Sequence, residues 1–460
     1  MNLFKSYSGK TWTAGTLTYS LGGLVFLSIW LIGGDFPWSM RDRAVTPAAT
    51  VILKQIGITD FLYGVIVIAF PNFTNLFLSP VISYISDRHR GRYGRRIPFL
   101  LFTTPFIVLG LCGLGLTAFF GKMIHAALPA VSLHAAMLTV FCIAWILLDF
   151  GTTLSNSLFY ALINDVVPEV LLGRFFSLLR IVSLGAGVFF NYCLLAEVPA
   201  HSAEIFVGLG IVYGIGLTLL CWKVKEGQYP PPPPVREDQQ GQSAFHRALS
   251  GTIEYFRQSF SLPYYRWLIL ATSMAMALAF GPVNYFAIQY AQSVSYSLKS
   301  YGICLVISLF CSLCLSWPLG CLADRFHPLR TGVCSLAAYF ILMCVSFFLM
   351  ADPQYFGIIF TTHCIVNGLY TTLTASLLPR LLPRTLFAQF NSACAIVSAV
   401  FSIGAGPLFG WIVDTFGGGY RLLFLLGGAG TLLTFAVFLP VFRGFLKFGG
   451  YEAYSAPVPR

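Results

Sequence analysis

Charged residues are scarce in this chain of 460 residues. Lys, Arg, Asp and Glu together make up 10% of it, whereas 57% of the residues are hydrophobic. Soluble domains usually carry about 25% charged residues. The sequence therefore cannot cover a water-facing surface of ordinary polarity, which excludes a typical soluble domain.

Clustered metal-binding or catalytic residues are also missing. The 12 cysteines lie almost entirely within apolar runs, where cysteine serves as a small apolar side chain. Cys311 and Cys314 share a helix face, but no second pair or nearby histidine completes a zinc site. The seven histidines are scattered, and there is no Walker-type phosphate loop. We expect no metal, no cofactor and no enzymatic activity.

The apolar residues form long uninterrupted runs. A helix needs about 20 apolar residues to cross the hydrocarbon core of a bilayer. The runs of that length lie, to within about 2–4 residues at each end, at 13–34, 60–85, 97–120, 134–163, 175–196, 203–224, 265–291, 301–322, 332–350, 355–378, 387–413 and 421–442. The first run ends at Gly33-Gly34-Asp35, which is not the pattern of a cleavable signal peptide. Because the runs do not alternate between apolar and polar residues, they are not barrel strands. We predict an all-α membrane protein with about twelve transmembrane helices.

Lys and Arg are distributed unequally between the loops. If the N-terminus is cytoplasmic, most of the 28 Lys and Arg residues lie in cytoplasmic segments. The outer segments then hold Arg41, Arg43, Lys54, Lys122, Lys299 and Arg421. Cytoplasmic loops are enriched in these residues, so both termini are predicted to be cytoplasmic, in the plasma membrane (the inner membrane of a bacterium). The same bias explains the net charge of +11, so we expect a lipid bilayer and no nucleic acid as partner.

The longest hydrophilic stretch divides the chain into two halves. It contains the proline tract Pro230–Pro234, typical of an extended spacer. Apolar residues then recur at helical spacing over 245–260, which predicts an amphipathic helix on the membrane surface, or a partly ordered linker. The predicted parts are a first six-helix bundle over 1–224, a linker over 225–262, a second six-helix bundle over 263–446 and a cytoplasmic tail over 447–460.

The two halves repeat each other. Ile181-Val182-Ser183 recurs as Ile396-Val397-Ser398, and Asp87-Arg88 after the second run recurs as Asp324-Arg325 after the eighth. Repeated bundles are what a transporter requires when two halves rock around a central site. Such an architecture needs no partner subunit, so a monomer is expected.

The loops after the second and eighth runs carry a family resemblance. Gly320-x-x-x-Asp324-Arg325 with Arg330 resembles the loop motif of the major facilitator superfamily. The first-half loop, Ser86 to Phe99, keeps an insertion between Asp-Arg and Gly-Arg and closes with Pro-aromatic. It is similar to that of sucrose transporters and of the glycoside–pentoside–hexuronide:cation symporters. The resemblance implies the major facilitator fold and transport of a sugar or glycoside.

The fourth run extends the resemblance and limits it. Leu148-Asp149-Phe150 is similar to the sequence in sucrose transporters where the Asp is associated with proton coupling. The Arg that follows in those proteins is Tyr160 here, and the seventh run lacks their charged cluster. The carboxylates that hold sodium in melibiose-type symporters are replaced by Asn75, Ser79 and Asn156, which argues against that sodium site.

Asp149 is the acidic residue that the sequence places deep within a span. An ionised carboxylate at the bilayer centre costs about 2.5–3.5 kcal/mol, so a water-filled cavity or a partner is expected. Desolvation favours the protonated form of a carboxyl group. We predict that Asp149 binds and releases the coupling proton. The alternative is a structural carboxylate that accepts hydrogen bonds from neighbours such as Ser155.

The remaining polar residues of the spans suit a solute with many hydroxyl groups, because amides both donate and accept hydrogen bonds. The predicted substrate-cavity residues are Tyr19, Asn72, Asn75, Asn156, Tyr160, Asn284, Gln289, His363 and Asn367. The alternative is that several of them only join helices to one another. The loops are predicted to form a cytoplasmic gate of charge pairs and helix ends. Its residues are Asp87, Arg88, Gly94, Arg95, Arg96, Gly320, Asp324, Arg325 and Arg330.

The sequence thus predicts a secondary transporter that moves a sugar or glycoside together with protons. A facilitator or exporter of another solute, including a lipid-like one, and a non-transporting membrane sensor are the alternatives.

Overall fold

The computed structural model describes residues 11–231, 247, 250, 253, 257, 259–350, 352–383 and 387–457. Most residues of the predicted amphipathic helix over 245–260, and most of the proline tract, lie outside the described part of the chain.

Helices make up nearly all of the described chain. It starts with an antiparallel hairpin of β1 (Trp12–Ala14) and β2 (Leu17–Tyr19). The helices that follow are α1 (Leu21–Ile56), α2 (Asp60–Tyr63), α3 (Phe70–Arg88), α4 (Ile97–Gly115), α5 (Thr117–Ala127), α6 (Leu133–Val166), α7 (Leu172–Phe189) and α8 (Val198–Lys223). Beyond the linker are α9 (Pro263–Met274), α10 (Gly281–Ser293), α11 (Leu298–Phe326), α12 (Pro328–Leu349), α13 (Phe356–Thr374), α14 (Leu377–Leu381), α15 (Phe387–Thr415), α16 (Leu422–Lys447) and α17 (Gly450–Ala453). Wider π-helical turns at Gly64–Ala69, Phe190–Leu194 and Ala275–Phe280 continue α2, α7 and α9.

Eleven helical segments among the described residues are long and apolar enough to cross a membrane. One of them, Glu169–Lys223, has 55 residues and contains both α7 and α8. A continuous helix of that length would extend about 80 Å, far more than the roughly 30 Å of a hydrocarbon core. Counting α7 and α8 as two crossings gives the predicted number of spans, and the predicted all-α membrane fold is confirmed.

Large apolar side chains cover the outside of these helices. Trp317, Phe348 and Ile358 are 79%, 71% and 70% exposed. Exposed apolar surface on this scale is unfavourable in water but suits contact with lipid tails. The chain is a multi-pass membrane protein.

The described chain forms two compact units. The described residues of Met1–Gly57 and Phe77–Leu249 form the first unit, and those of Ile58–Leu76 and Ser250–Arg460 form the second. The division into bundles at 1–224 and 263–446 stays a prediction.

In the first unit, α4 packs against α6 and α8, and α1 packs against α7 and α8. A Cβ atom at Gly110 would lie 2.6 Å from the Leu148 side chain, so only glycine allows α4 and α6 to come this close. In the second unit, α16 packs against α12 and the π-helical turn Ala275–Phe280. Gly430 of α16 faces the carbonyl of Leu278, so this turn is held against its neighbour by backbone contact.

The first predicted span, 13–34, is wrong at both ends. Residues 12–19 form the hairpin, and α1 runs from Leu21 through Gly33-Gly34-Asp35 to Ile56. The helix continues because its charged residues find partners on neighbouring helices, which a hydropathy profile does not detect. Arg41 and Arg43 therefore lie within α1 and not in an outer loop.

Candidate functional site

One face of α6 in the first unit carries three predicted residues. Asn156 and Tyr160 follow Asp149 by 7 and 11 residues, or about two and three helical turns, so all three side chains share that face. Asp149 is 7% exposed, Asn156 is exposed and Tyr160 is 52% exposed. Leu148, next to Asp149, instead packs on α4. The structure thus brings together a buried carboxylate, an exposed amide and an exposed phenol on a single helix.

Charged residues of α1 lie beside this face. Arg41 is 2% exposed, and its Nη2 donates to Asn156 Oδ1 over 3.1 Å. Nε and Nη2 of Arg43 both donate to Ser183 Oγ, over 3.4 and 3.3 Å. Asp35 is 4% exposed and accepts a 3.3 Å hydrogen bond from Ser39.

Tyr160 interacts electrostatically with Asp35, Arg41, Asp42 and Arg43. Two acidic and two basic residues of one helix therefore lie near the tyrosine, and their formal charges cancel. Asp35 is a second buried carboxylate, so the expectation that Asp149 is the deep acidic residue of the spans is corrected. Sequence reasoning missed this cluster because it assigned residues 35–43 to a loop; the signal was two Asp and two Arg close to an apolar run.

The second unit holds a buried histidine. His363 of α13 is 0% exposed. Its Nε2 lies 2.9 Å from Asn284 Oδ1 and its Nδ1 lies 3.1 Å from the Tyr339 hydroxyl. The Tyr339 hydroxyl also donates to the carbonyl of Ala279, in the π-helical turn, over 3.3 Å. Such turns are frequent at functional sites because they free backbone carbonyls from the helix ladder.

Asn284 and Asn367 complete this cluster. Asn284 is exposed, and Asn367 Nδ2 lies 3.5 Å from Asn284 Oδ1. Three predicted cavity residues, His363, Asn284 and Asn367, therefore lie together in the second unit.

The other predicted cavity residues are dispersed. Tyr19 lies in strand β2, so the expectation that it belongs to a span is wrong, and its part in a cavity stays a prediction. Asn72 donates to the carbonyl of Ile68 in its own helix over 2.8 Å, and Asn75 is exposed. Gln289 is 2% exposed, and neither atom of its amide has a hydrogen-bond partner among the described residues.

The first predicted gate loop forms a charge network. Arg95 binds Asp165 at two points, with Nη2–Oδ1 and Nε–Oδ2 distances of 2.6 and 3.0 Å. Arg96 pairs with Asp87 and lies 3.3 Å from Asp165. Burial alone would lower the pKa of the Arg95 guanidinium, but the hydrogen bond and charge of Asp165 outweigh it and raise that pKa. Arg88, in contrast, stacks over the Tyr84 ring at 4.8 Å.

Glu226, in the segment after α8, fastens that segment to the gate loop. Its carboxylate accepts the backbone N–H groups of Arg95, Arg96 and Ile97 over 2.9, 2.8 and 2.7 Å. Gly94 has φ +100°, and a Cβ there would lie 2.5 Å from Glu226 Cδ. Both the positive φ and the close approach of Glu226 therefore require glycine at this position. Sequence reasoning did not include Glu226, because helix capping by a residue so distant in the chain leaves no local pattern.

The second gate loop pairs differently from the prediction. Asp324 forms its ion pair with Arg380 of α14. Arg325 lies over the Phe326 ring at 5.4 Å, and Arg330 lies over the Tyr451 ring at 3.9 Å. Gly320 has open space around it, since a Cβ added there would meet no described atom within 4 Å.

Long apolar helices that bury polar side chains are typical of membrane transporters. A family model described as Major Facilitator Superfamily matches residues 18–401. The chain belongs to this superfamily, whose members are transporters and not enzymes, and the predicted family is confirmed.

Individual relatives are distant. The chain is 31% identical over 144 residues to the human protein named Proton-associated sugar transporter A. That match covers 31% of this chain but 18% of the relative. The solved D-xylose-proton symporter has a TM-score of 0.61 at 14% identity, covering 95% of this chain and 98% of that one. The nucleoside transporter NupG has a TM-score of 0.62 at 12% identity, covering 90% and 98%. These structures show the shared fold.

Proposed function

We propose that this chain is a secondary active transporter that moves a sugar or glycoside together with protons by alternating access. The observation that carries the proposal is the shared face of α6, on which a buried carboxylate, Asp149, lies two turns from the exposed amide of Asn156. Because both groups lie on one rigid helix, a small movement of that helix can couple protonation of the carboxylate to solute binding at the amide.

Proton coupling is assigned to Asp149. Asp149 is a carboxyl group that is 7% exposed within a membrane span, where acidic residues mark proton pathways. We propose that it binds the coupling proton on one side of the membrane and releases it on the other. The names of the human relative and of the D-xylose symporter, both associated with protons and sugars, support the proposal of proton-coupled sugar transport.

A polyhydroxylated solute is favoured by the kind of polar groups present. Asn156, Tyr160 and Asn284 are exposed polar residues within membrane-spanning helices, where lipid contact is unfavourable for them. We propose that each of them faces water within its own unit and binds hydroxyl groups. Gln289 and Asn367, each with a buried amide oxygen that lacks a partner among the described residues, are further candidates.

We propose that the ion pair Asp87–Arg96 in the first unit and the ion pair Asp324–Arg380 in the second unit each have a gating role at the cytoplasmic side. We also propose that the chain forms two six-helix bundles, that both termini are cytoplasmic, and that the protein is a monomer in the plasma membrane.

Uptake into proteoliposomes tests the proposal. The purified full chain would be offered labelled mono-, di- and trisaccharides, and nucleosides as a comparison class, with and without an inward proton gradient. We expect one sugar to accumulate only with the gradient, and a protonophore to abolish that accumulation. Uptake that ignores the gradient would contradict proton coupling, and uptake restricted to nucleosides would contradict the sugar assignment.

A further inference from the structure

Arg41 occupies a rigid, dry position inside α1. Its guanidinium carbon lies 4.4 Å from the centre of the Trp38 ring and 5.7 Å from that of Tyr213. Trp38 also stacks on Phe159 of α6, with ring centres 4.3 Å apart and planes 14° apart. Cation–π contacts with two rings and a side chain only 2% exposed leave Arg41 little freedom to change its rotamer.

The hydrogen bond from Arg41 fixes the orientation of the Asn156 amide. The oxygen and nitrogen of an amide are usually assigned from their partners. Arginine has donors and no acceptor, so the atom 3.1 Å from Arg41 Nη2 must be the oxygen of Asn156. The amide nitrogen then points away from Arg41, on an exposed residue, and it makes no hydrogen bond within the described part of the chain.

Some of the N–H groups of Arg41 lack hydrogen-bond partners among the described residues. Its Nε and Nη1 are buried without hydrogen-bond partners among the described residues. Burying a guanidinium that makes one hydrogen bond to a neutral amide is unfavourable for stability. A cation retained at this cost is a functional residue by default.

We infer that Arg41 is a positioning residue that holds Asn156 with its two N–H donors directed toward the solute, so that this part of the site selects acceptor oxygens. The inference rests on the proposed function and narrows its substrate class. Hydroxyl, ring and glycosidic oxygens of sugars accept such hydrogen bonds, whereas an ammonium group cannot. Tyr160, one turn further along α6, adds an exposed ring and hydroxyl beside the same donors.

Two substitutions separate this role from a structural one. Asn156→Asp keeps the size of the side chain and pairs with Arg41 as a carboxylate, but it loses both donors. Arg41→Met keeps a long stem and loses the hydrogen bond that orients Asn156. Lys54→Met, in the last turn of the same helix, is the matched control. Arg41→Lys replaces Arg41→Met if the latter does not fold.

The readout is the KM and kcat of uptake for the sugar that the wild-type protein transports best in the panel above. Loss of the hydrogen bonds that the Asn156 amide donates to an uncharged solute should raise KM at least about tenfold, with kcat changed less than about twofold. Both single variants should show this rise, and the double variant should be no worse than either. A wild-type KM in Asn156→Asp or in Arg41→Met, or additive effects in the double variant, would overturn the inference.

Failure of the proposed function would be recognised separately. If the wild-type protein transports no sugar of the panel, the sugar assignment is contradicted. The pairing of Arg41 with Asn156 is then decided by thermal unfolding without solute. Non-additive shifts in Tm for Arg41→Met, Asn156→Ser and their combination would support the pairing, and additive shifts would overturn it.

Discussion

The interaction of Glu226 with the start of α4 offers a quantitative prediction. Its carboxylate accepts three backbone N–H groups over 2.7–2.9 Å and the hydroxyl of Tyr229 over 2.9 Å. Since α4 begins at Ile97, two of these N–H groups precede the helix and one is its first. Glu226→Ala leaves all of them without this acceptor, whereas Glu226→Gln retains one oxygen.

The magnitude follows from the groups involved. Loss of an N-terminal cap costs about 1 kcal/mol, and loss of a negative charge at a helix N-terminus costs roughly 0.3–1 kcal/mol. The remaining N–H group precedes the helix, where water can partly replace the lost acceptor, so its contribution is smaller. The free energy of unfolding should fall by about 2 kcal/mol in Glu226→Ala and by about half of that in Glu226→Gln.

Thermal unfolding of the purified protein in detergent measures this effect. Glu226→Ala should lower Tm by about 4–8 °C, on the scale of about 2–4 °C per kcal/mol for a domain of this size. Glu169→Ala, which removes an exposed carboxylate elsewhere in the first unit, is the control and should leave Tm nearly unchanged. Equal Tm values for the two variants would refute the assignment of Glu226 as the cap of α4.

Two further perturbations test other parts of the fold. Burial, with a smaller effect of nearby arginines, lowers the pKa of His327 from 6.5 to about 4. Between these two pH values the unfolded chain binds a proton that the folded chain excludes, so the free energy of unfolding should fall as pH drops from about 6.5 to about 4. His327→Asn should therefore flatten the dependence of Tm on pH in that range. An unchanged slope of Tm against pH in this variant would contradict the prediction. Gly410 of α15 packs directly on the carbonyl of Asp60. A Cβ atom added at Gly404 of the same helix would meet no described atom within 4 Å. Gly410→Leu should therefore lower Tm by several degrees and Gly404→Leu should not, and a reversed order would argue against this helix contact.

Hydropathy is sufficient to predict most spans because the need for about 20 apolar residues is a local property. The loop motif likewise predicts Asp87, Arg95 and Arg96, which the structure joins in one network. Local patterns do not identify Asp165 and Glu226 as their partners, because these come from the end of α6 and the segment after α8.

The charged segment of α1 shows the main limit of sequence reasoning. Asp35, Arg41, Asp42 and Arg43 are closely spaced charges of the kind that normally end a span, and so the sequence predicts Arg41 outside the membrane. The helix continues because Trp38 stacks on Arg41, and Asn156 and Ser183 accept hydrogen bonds from the two arginines. These partners lie on α6 and α7, 115 and 140 residues further along the chain, so only the tertiary structure reveals that the charges can be buried.

The most direct test of the proposed mechanism compares two kinds of transport in Asp149→Asn. An amide cannot carry the coupling proton, so gradient-driven accumulation of the transported sugar should be lost. Exchange of labelled for unlabelled sugar, which needs no net proton movement, should continue. Asp35→Asn, at the other buried carboxylate among the described residues of the first unit, should retain accumulation. Accumulation that persists in Asp149→Asn, or that is lost in Asp35→Asn alone, would contradict the assignment of Asp149 as the coupling carboxylate.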